Sequence, residues 1–219
     1  MLSRRAERQT SRAGFVLAGG KSSRMGTEKA LLVFHGQTLL ERALTLMATV
    51  CDTVAIVGDP AKFAEYGART YKAGNCETPK YERVVADIFP GCGPLAGIHT
   101  ALAHSTADLN LMLAVDTPFV SQELLAFLFA AAEKNSATVT VPCTSKGLQP
   151  LCAIYRREFL TVAETALRAG KYKVDTAFSA VSTHEIDTAK LAAAGFAEDS
   201  FFNVNTPEDR LTALGKAPA

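Results

Sequence analysis

The chain has no CxxC pair, although it contains five cysteines, Cys51, Cys76, Cys92, Cys143 and Cys152. An odd number without that spacing argues against a disulfide framework or a zinc ribbon and fits a reducing cytoplasm. Excess charge is lacking too, because 23 Lys and Arg stand against 22 Asp and Glu, a net charge of +1. Nucleic acid and anionic membrane both ask for a broad basic surface, so neither is expected as a partner and any anion site has to be local. No apolar run is long enough to span a bilayer. The early arginines, Arg4, Arg5, Arg8 and Arg12, are not followed by the apolar stretch of a secretory signal. Residues 1–12 are read as a frayed, disordered extension. No internal repeat, low-complexity tract or linker interrupts the rest, and 219 residues at 48% hydrophobic content suffice for one domain over residues 13–219.

What the sequence does have is alternation. Short apolar, β-branched runs at residues 14–18, 53–57, 83–86, 110–115 and 137–141 alternate with segments of helical period. That is the pattern of a buried, mostly parallel sheet with covering helices. The last run alternates more and is expected to stop at Pro142, which cannot donate to a ladder. Leu39, Leu40, Ala43, Leu44 and Met47 form one helical stripe, and Leu124, Leu125, Leu128 and Phe129 form another behind a Ser121 cap. Thr206 followed by Pro207, Glu208 and Asp209 is a strong helix start.

The most informative segment, residues 17–29, reads LAGGKSSRMGTEK and follows directly on the first strand. Loops at the carboxyl edge of a parallel sheet form nucleotide crevices, and Gly19 and Gly20 let backbone approach a base or phosphate. Arg24 and Lys29 add a forked guanidinium and an ammonium, which with backbone N–H donors meet the needs of a triphosphate. Gly20-Lys21-Ser22 imitates the end of a P-loop, but Phe15 stands where that motif requires glycine. A second apolar strand ends in Asp116, followed by Thr117 and Pro118. Such a lone carboxylate suits magnesium, which takes few protein oxygens, or else it accepts turn N–H groups. Asp87 stands at another strand end before Pro90-Gly91-Cys92-Gly93-Pro94, where Pro94 can open a helix whose N–H groups face a ligand; its alternative role is to cap that loop. Asn203 and Asn205, two apart on an extended segment, put their amides on the same side, where they either bind a ligand or tie the segment to the next helix. His35, His99, His104 and His184 lack ligand spacing, and no serine nucleophile elbow occurs.

Residues 17–29 resemble the first-loop signature of the molybdenum cofactor guanylyltransferase family, with Glu28 in place of its usual aspartate. Four further stretches are similar to that family in the same order: Asp87 with PGCGPLAG at 90–97, DTPF at 116–119, QPLCAIY at 149–155 and FFNVNTPED at 201–209. The resemblance implies a single-domain, three-layer α/β/α, Rossmann-like nucleotidyltransferase fold. It implies a GTP half at about 13–120 and a molybdopterin half at about 121–214. It further implies that Leu17, Ala18, Gly19 and Gly20 line the nucleotide, that Arg24 and Lys29 meet phosphates, that Asp87 touches nucleotide and that Asp116 binds Mg2+. Gly93, Pro94, Gln149, Asn203 and Asn205 would serve the second substrate. Gly58 aligns loosely with a family asparagine that contacts nucleotide.

The activity so implied is transfer of GMP from GTP to molybdenum-molybdopterin, by a cytoplasmic monomer with transient contacts to the molybdenum-insertion protein and apo-molybdoenzymes. A cytidylyltransferase of the same cofactor shares the scaffold, but Gly19 and the GPLAG run at 93–97 favour guanine. A sugar-phosphate nucleotidyltransferase would leave the NTPED match unexplained. A non-catalytic GTP-binding regulator would be expected to have lost Asp116, Arg24 or Lys29, all of which are present.

Overall fold

A computed structural model describes residues 10–19, 28–67 and 81–216. The strands are β1 (Arg12–Leu17), β2 (Val33–Phe34), β3 (Gln37–Thr38), β4 (Thr53–Val57), β5 (Tyr81–Val85), β6 (Leu109–Ala114), β7 (Val139–Thr144), β8 (Gly147–Leu148), β9 (Cys152–Tyr155) and β10 (Thr183–Ile186). The helices are α1 (Leu39–Ala48), α2 (Pro60–Gly67), α3 (Pro94–Ala103), α4 (Gln122–Glu133), α5 (Phe159–Arg168), α6 (Val174–Phe178), α7 (Thr188–Ala193) and α8 (Pro207–Leu214).

The main sheet runs β10-β7-β9-β6-β1-β4-β5, with β8 paired to β7. It is parallel except around β9, which pairs antiparallel with both β6 and β7, and in the β7–β8 hairpin. Nearly consecutive apolar residues split between two cores by the two-residue period of a strand. From β1, Val16 joins one core while Ala13 and Phe15 join the other; from β6, Leu109, Leu111 and Leu113 face one way and Met112 the other. The first core is closed by α1, α2 and α4, and the second by α3, α5 and α6. This is the three-layer arrangement expected from the sequence. Among the described residues no helix is long and apolar enough to cross a membrane.

The helix starts follow their caps. Thr38 and Glu41 form a capping box at α1, Ser121 Oγ accepts the Leu124 N–H at α4, and Thr206 and Asp209 form a second box at α8. Two expectations need correction. The ordered fold begins before residue 13, because Ser11 N and Oγ both donate to Asp108 Oδ2 and Arg12 opens β1, its guanidinium bonded to Glu133 and stacked over Phe129. Residues 1–9 of the expected extension lie outside the described residues. The other correction is that β7 continues through Pro142 to Thr144. Its pairing with β9 reaches only Thr140, so no β9 carbonyl calls on the N–H that Pro142 lacks, and the Pro142 carbonyl accepts Gln149 N at 2.8 Å.

Gly14 marks how tightly β1 packs on α1. A Cβ there would stand 2.9 Å from Cys51 Sγ and 3.3 Å from Met47 Cε, both buried. Gly14→Ala is expected to destabilise the protein by about 1–3 kcal/mol through overpacking. Urea unfolding checks this: the midpoint should fall at unchanged slope, and an unmoved midpoint would mean that these two side chains yield without cost.

Candidate active site

The first strand lies between β4 and β6, so the chain runs from β1 outward to β4 and β5 and then returns to β1's other side as β6. Open α/β sheets bind ligands at such a reversal, outside the carboxyl ends of the strands. A cleft of about 440 Å³ occupies that place. Its lining includes Leu17, Ala18, Gly19, Lys29, Gly58, Asp87, Gly93, Pro94 and Asp116, all of which the sequence singled out. Gly20 and Arg24, also singled out, lie outside the described residues.

The floor of the cleft is a hydrogen-bonded seam. Ala18 N donates to Val57 O, Gly58 N to Val85 O, and Val115 N to Leu17 O. At Gly19 nothing described lies within 4 Å of where a Cβ would stand, so packing does not demand a glycine there. An open backbone facing the cleft is what close approach of a ligand needs. Gly58 is different, because a Cβ would meet the ring of buried Phe63 at 2.9 Å. An asparagine could not replace it without moving that ring, which explains why only backbone is offered at this point.

Asp116 ends β6. Its Oδ2 accepts from Lys29 Nζ at 2.6 Å, and the same ammonium donates to Asn205 Oδ1 at 2.7 Å. No turn N–H bonds to the Asp116 carboxylate among the described residues. The turn is held by other means: Thr117 Oγ1 donates to Ala114 O, Arg42 Nε to Pro118 O, and Val204 N to Asp116 O. Asn205 is itself placed by α8, where Asp209 Oδ2 accepts both Asn205 N and Thr206 N. Those backbone bonds, Asn205's first, hold the Asp209 carboxyl below its ordinary range.

On the opposite wall, Asp87 Oδ1 accepts from Thr100 Oγ1 at 3.0 Å and from Phe89 N at 3.4 Å, so it does cap its loop while lining the cleft. Burial pushes its carboxyl above the usual aspartate value, only partly offset by the Thr100 hydroxyl. The loop then turns through Gly91 and Gly93, at φ of 79° and 74°, into Pro94 and α3. His99 on α3 packs edge-on against Phe89 and, among the described residues, has no hydrogen-bond partner for Nδ1; burial holds its pKa below the ordinary value.

Glu28, the residue that departs from the resembled signature, lines the cleft and accepts from Lys62 Nζ at 2.7 Å, so its longer reach ties the first loop to α2. The cleft also includes Gly91, Gly97 and Leu151, which the sequence placed in matching stretches but did not name as site residues. Leu151 could have been suspected from its place in the QPL stretch; its carbonyl accepts Ala114 N, which brings that stretch to the end of β6. Gln149 lies apart: its amide donates to Thr144 Oγ1 and Gly147 O within the β7–β8 hairpin. Asn203 is exposed and does not line the cleft.

The described lining offers carboxylate oxygens and no histidine or cysteine, a donor set for a hard cation rather than zinc. Among the described residues no three His, Cys, Asp or Glu side chains converge as a metal cage. A cation here would therefore use few protein oxygens and complete its shell with water and phosphate, as magnesium does.

A bare loop backbone, an ammonium and strand-end carboxylates at a sheet's switch point define a nucleotide-binding α/β enzyme of the nucleotidyltransferase class. The sequence model of the MobA-like NTP transferase domain matches residues 14–184. A protein of Pelotomaculum thermopropionicum named "Probable molybdenum cofactor guanylyltransferase" is 36% identical over 200 residues, covering 91% of this chain and 90% of its own. The molybdenum cofactor guanylyltransferase of Desulfosudis oleivorans is 30% identical over 198 residues, 90% and 91% of the two chains. The crystal structure of molybdopterin-guanine dinucleotide biosynthesis protein A from Archaeoglobus fulgidus superposes with a TM-score of 0.77 at 27% identity, covering 93% of this chain and 97% of that one. The chain belongs to the MobA-like NTP transferase family.

The raised Asp87 pKa has a sign that can be tested. A carboxyl whose folded value lies above its unfolded one contributes stability below the unfolded value and loses it as pH rises through the folded one. Ionised Asp87 is thus a local cost at neutral pH, discounted because the group is partly solvated. Asp87→Asn is expected to raise the melting temperature at pH 7 by up to about 2 °C. Melting curves at pH 7 and below about pH 4 check it: the gain should vanish in acid, and a loss at pH 7 would contradict the assigned direction.

Proposed function

We propose that this protein transfers GMP from GTP to the terminal phosphate of molybdenum-molybdopterin, releasing pyrophosphate. The observation that carries the reading is the position of Lys29 in the cleft lining, where its ammonium binds Asp116 of the same lining and also Asn205. The names of the relatives supply guanine and the molybdenum cofactor as the chemistry.

A phosphate oxygen of molybdopterin attacks the α-phosphorus of GTP in line; that P–O bond forms as the bond to the β-phosphate oxygen breaks, and the electrons leave with pyrophosphate. Leu17, Ala18 and Gly19 present backbone and small side chains to the nucleoside. Lys29, within reach of the strand end, neutralises charge that grows on the leaving pyrophosphate, a role Arg24 shares. Magnesium, held by Asp116, would supply neutralisation of the triphosphate when bound. The positive end of α3, after Gly93 and Pro94, offers a further anion contact. Asn205 reaches the second substrate beside Lys29, with Asn203 and Gln149 farther out on the same half. No protein nucleophile is required, since positioning and electrostatics suffice.

Pyrophosphate release with magnesium and molybdenum-loaded molybdopterin tests the proposal. GTP should be preferred over CTP, and Lys29→Ala and Asp116→Asn should each lower kcat by about 10²- to 10³-fold with circular dichroism unchanged. Preference for CTP would overturn the guanine assignment, and GTP binding without turnover would point to a regulator.

A further inference from the structure

Thr100 lies in the second turn of α3, fully buried, three residues after Gly97, which faces the cleft on the same side of the helix. A buried hydroxyl there needs a partner, and this one has two. It donates to Asp87 Oδ1 at 3.0 Å and accepts from Ile88 N at 3.0 Å. Its single proton is committed to the carboxylate, since the Ile88 N–H can only donate. The hydroxyl therefore clamps Asp87 at two points, through its side chain and through the peptide that follows it. Gly97 lies against the β1 end, where a Cβ would meet Leu17 Cδ2 at 3.4 Å, an ordinary van der Waals contact.

We infer that Thr100 is a positioning residue for nucleotide binding, fixing through one hydroxyl the direction in which Asp87 presents its carboxylate to the cleft. The inference rests on the reading of Asp87 as a nucleotide contact. Its signature is a loss in nucleotide affinity rather than in chemistry, because among the described residues the Thr100 hydroxyl bonds only to Asp87 and Ile88 and to neither Lys29 nor Asp116. Remote disorder in a binding group weakens ground-state and transition-state binding alike, which raises KM and leaves kcat.

The experiment measures KM for GTP, kcat and direct GTP affinity by calorimetry for Thr100→Val, Thr100→Ser, Asp87→Ala and the double variant Asp87→Ala with Thr100→Val. Thr100→Val should raise KM about tenfold, the scale of a lost hydrogen bond to a charged group, with kcat little changed. Thr100→Ser should restore KM, and the double variant should be no worse than Asp87→Ala alone. Native KM in Thr100→Val, failure of serine to rescue, or additive losses in the double variant would each overturn the inference while leaving Asp87's role intact. If Asp87→Ala itself binds GTP as the native protein does, the reading of Asp87 fails and the inference falls with it. Should Thr100→Val not fold, Thr100→Ala takes its place with the same outcomes.

Discussion

Three distant stretches of chain meet at the ammonium of Lys29: the first loop that carries it, the end of β6 through Asp116, and the segment before α8 through Asn205. The two charged side chains are only 20% and 17% exposed, so each has given up much of its water. A pair in that condition contributes little net stability, because desolvation offsets most of the Coulomb gain. Removing one partner is costly all the same, since it strands the other charge. What the pair supplies is direction, holding a cation and a carboxylate at a place where both face the cleft. For the proposed reaction this is preorganisation: Lys29 has little water left to shed when phosphate arrives, and the carboxylate is already aimed.

The sheet makes this meeting possible. Because β6 returns beside β1, residues 17 and 114 sit side by side, and the loops that leave them must diverge around a crevice. The antiparallel strand β9 then adds what a purely parallel sheet would not. It runs against β6, so the chain entering β9 arrives at the carboxyl edge, and Leu151 reaches the cleft from the same side as Asp116. One reversed strand thus brings the second half of the sequence to a site that the first half builds.

The parts of this arrangement legible in the sequence were those with a local signal. A glycine after an apolar strand, an aspartate shortly before proline and a threonine before Pro207 each carry a local signal, and in the structure Gly19, Lys29 and Asp116 line the cleft while Thr206 caps α8. The strands β9 and β10 were not read because four-residue runs are too short to show a period and resemble many helix fragments, and only pairing with distant strands selects their conformation. Pro142 misled for a related reason: its missing N–H matters only on a side where a neighbour accepts, and the neighbour is set by topology. Gln149 carries the family pattern, yet its amide is spent on a hairpin next to it, a bond that depends on where β8 turns back. The Thr100 bond to Asp87 spans two elements and has no sequence signature of its own.

Asp87 shows why the two walls of the cleft differ. On the Lys29 side, each charge has a counter-charge. On the other, burial is the leading influence on Asp87 and pushes its carboxyl toward protonation, while its hydrogen-bond donors among the described residues, a hydroxyl and a backbone N–H, compensate only in part. A group selected for stability alone would be better replaced by an amide of the same shape. The carboxylate's desolvation is a cost to the fold that binding can recover, if a donor on the nucleotide satisfies what the protein leaves open. A wall already satisfied would gain little from a ligand. The under-compensated wall gains more in the proposed reading, in which the nucleoside lies near it and the phosphates lie near the fully paired wall. The cleft is thus polarised before any substrate enters, with one side built to exchange charges and the other to accept a hydrogen bond.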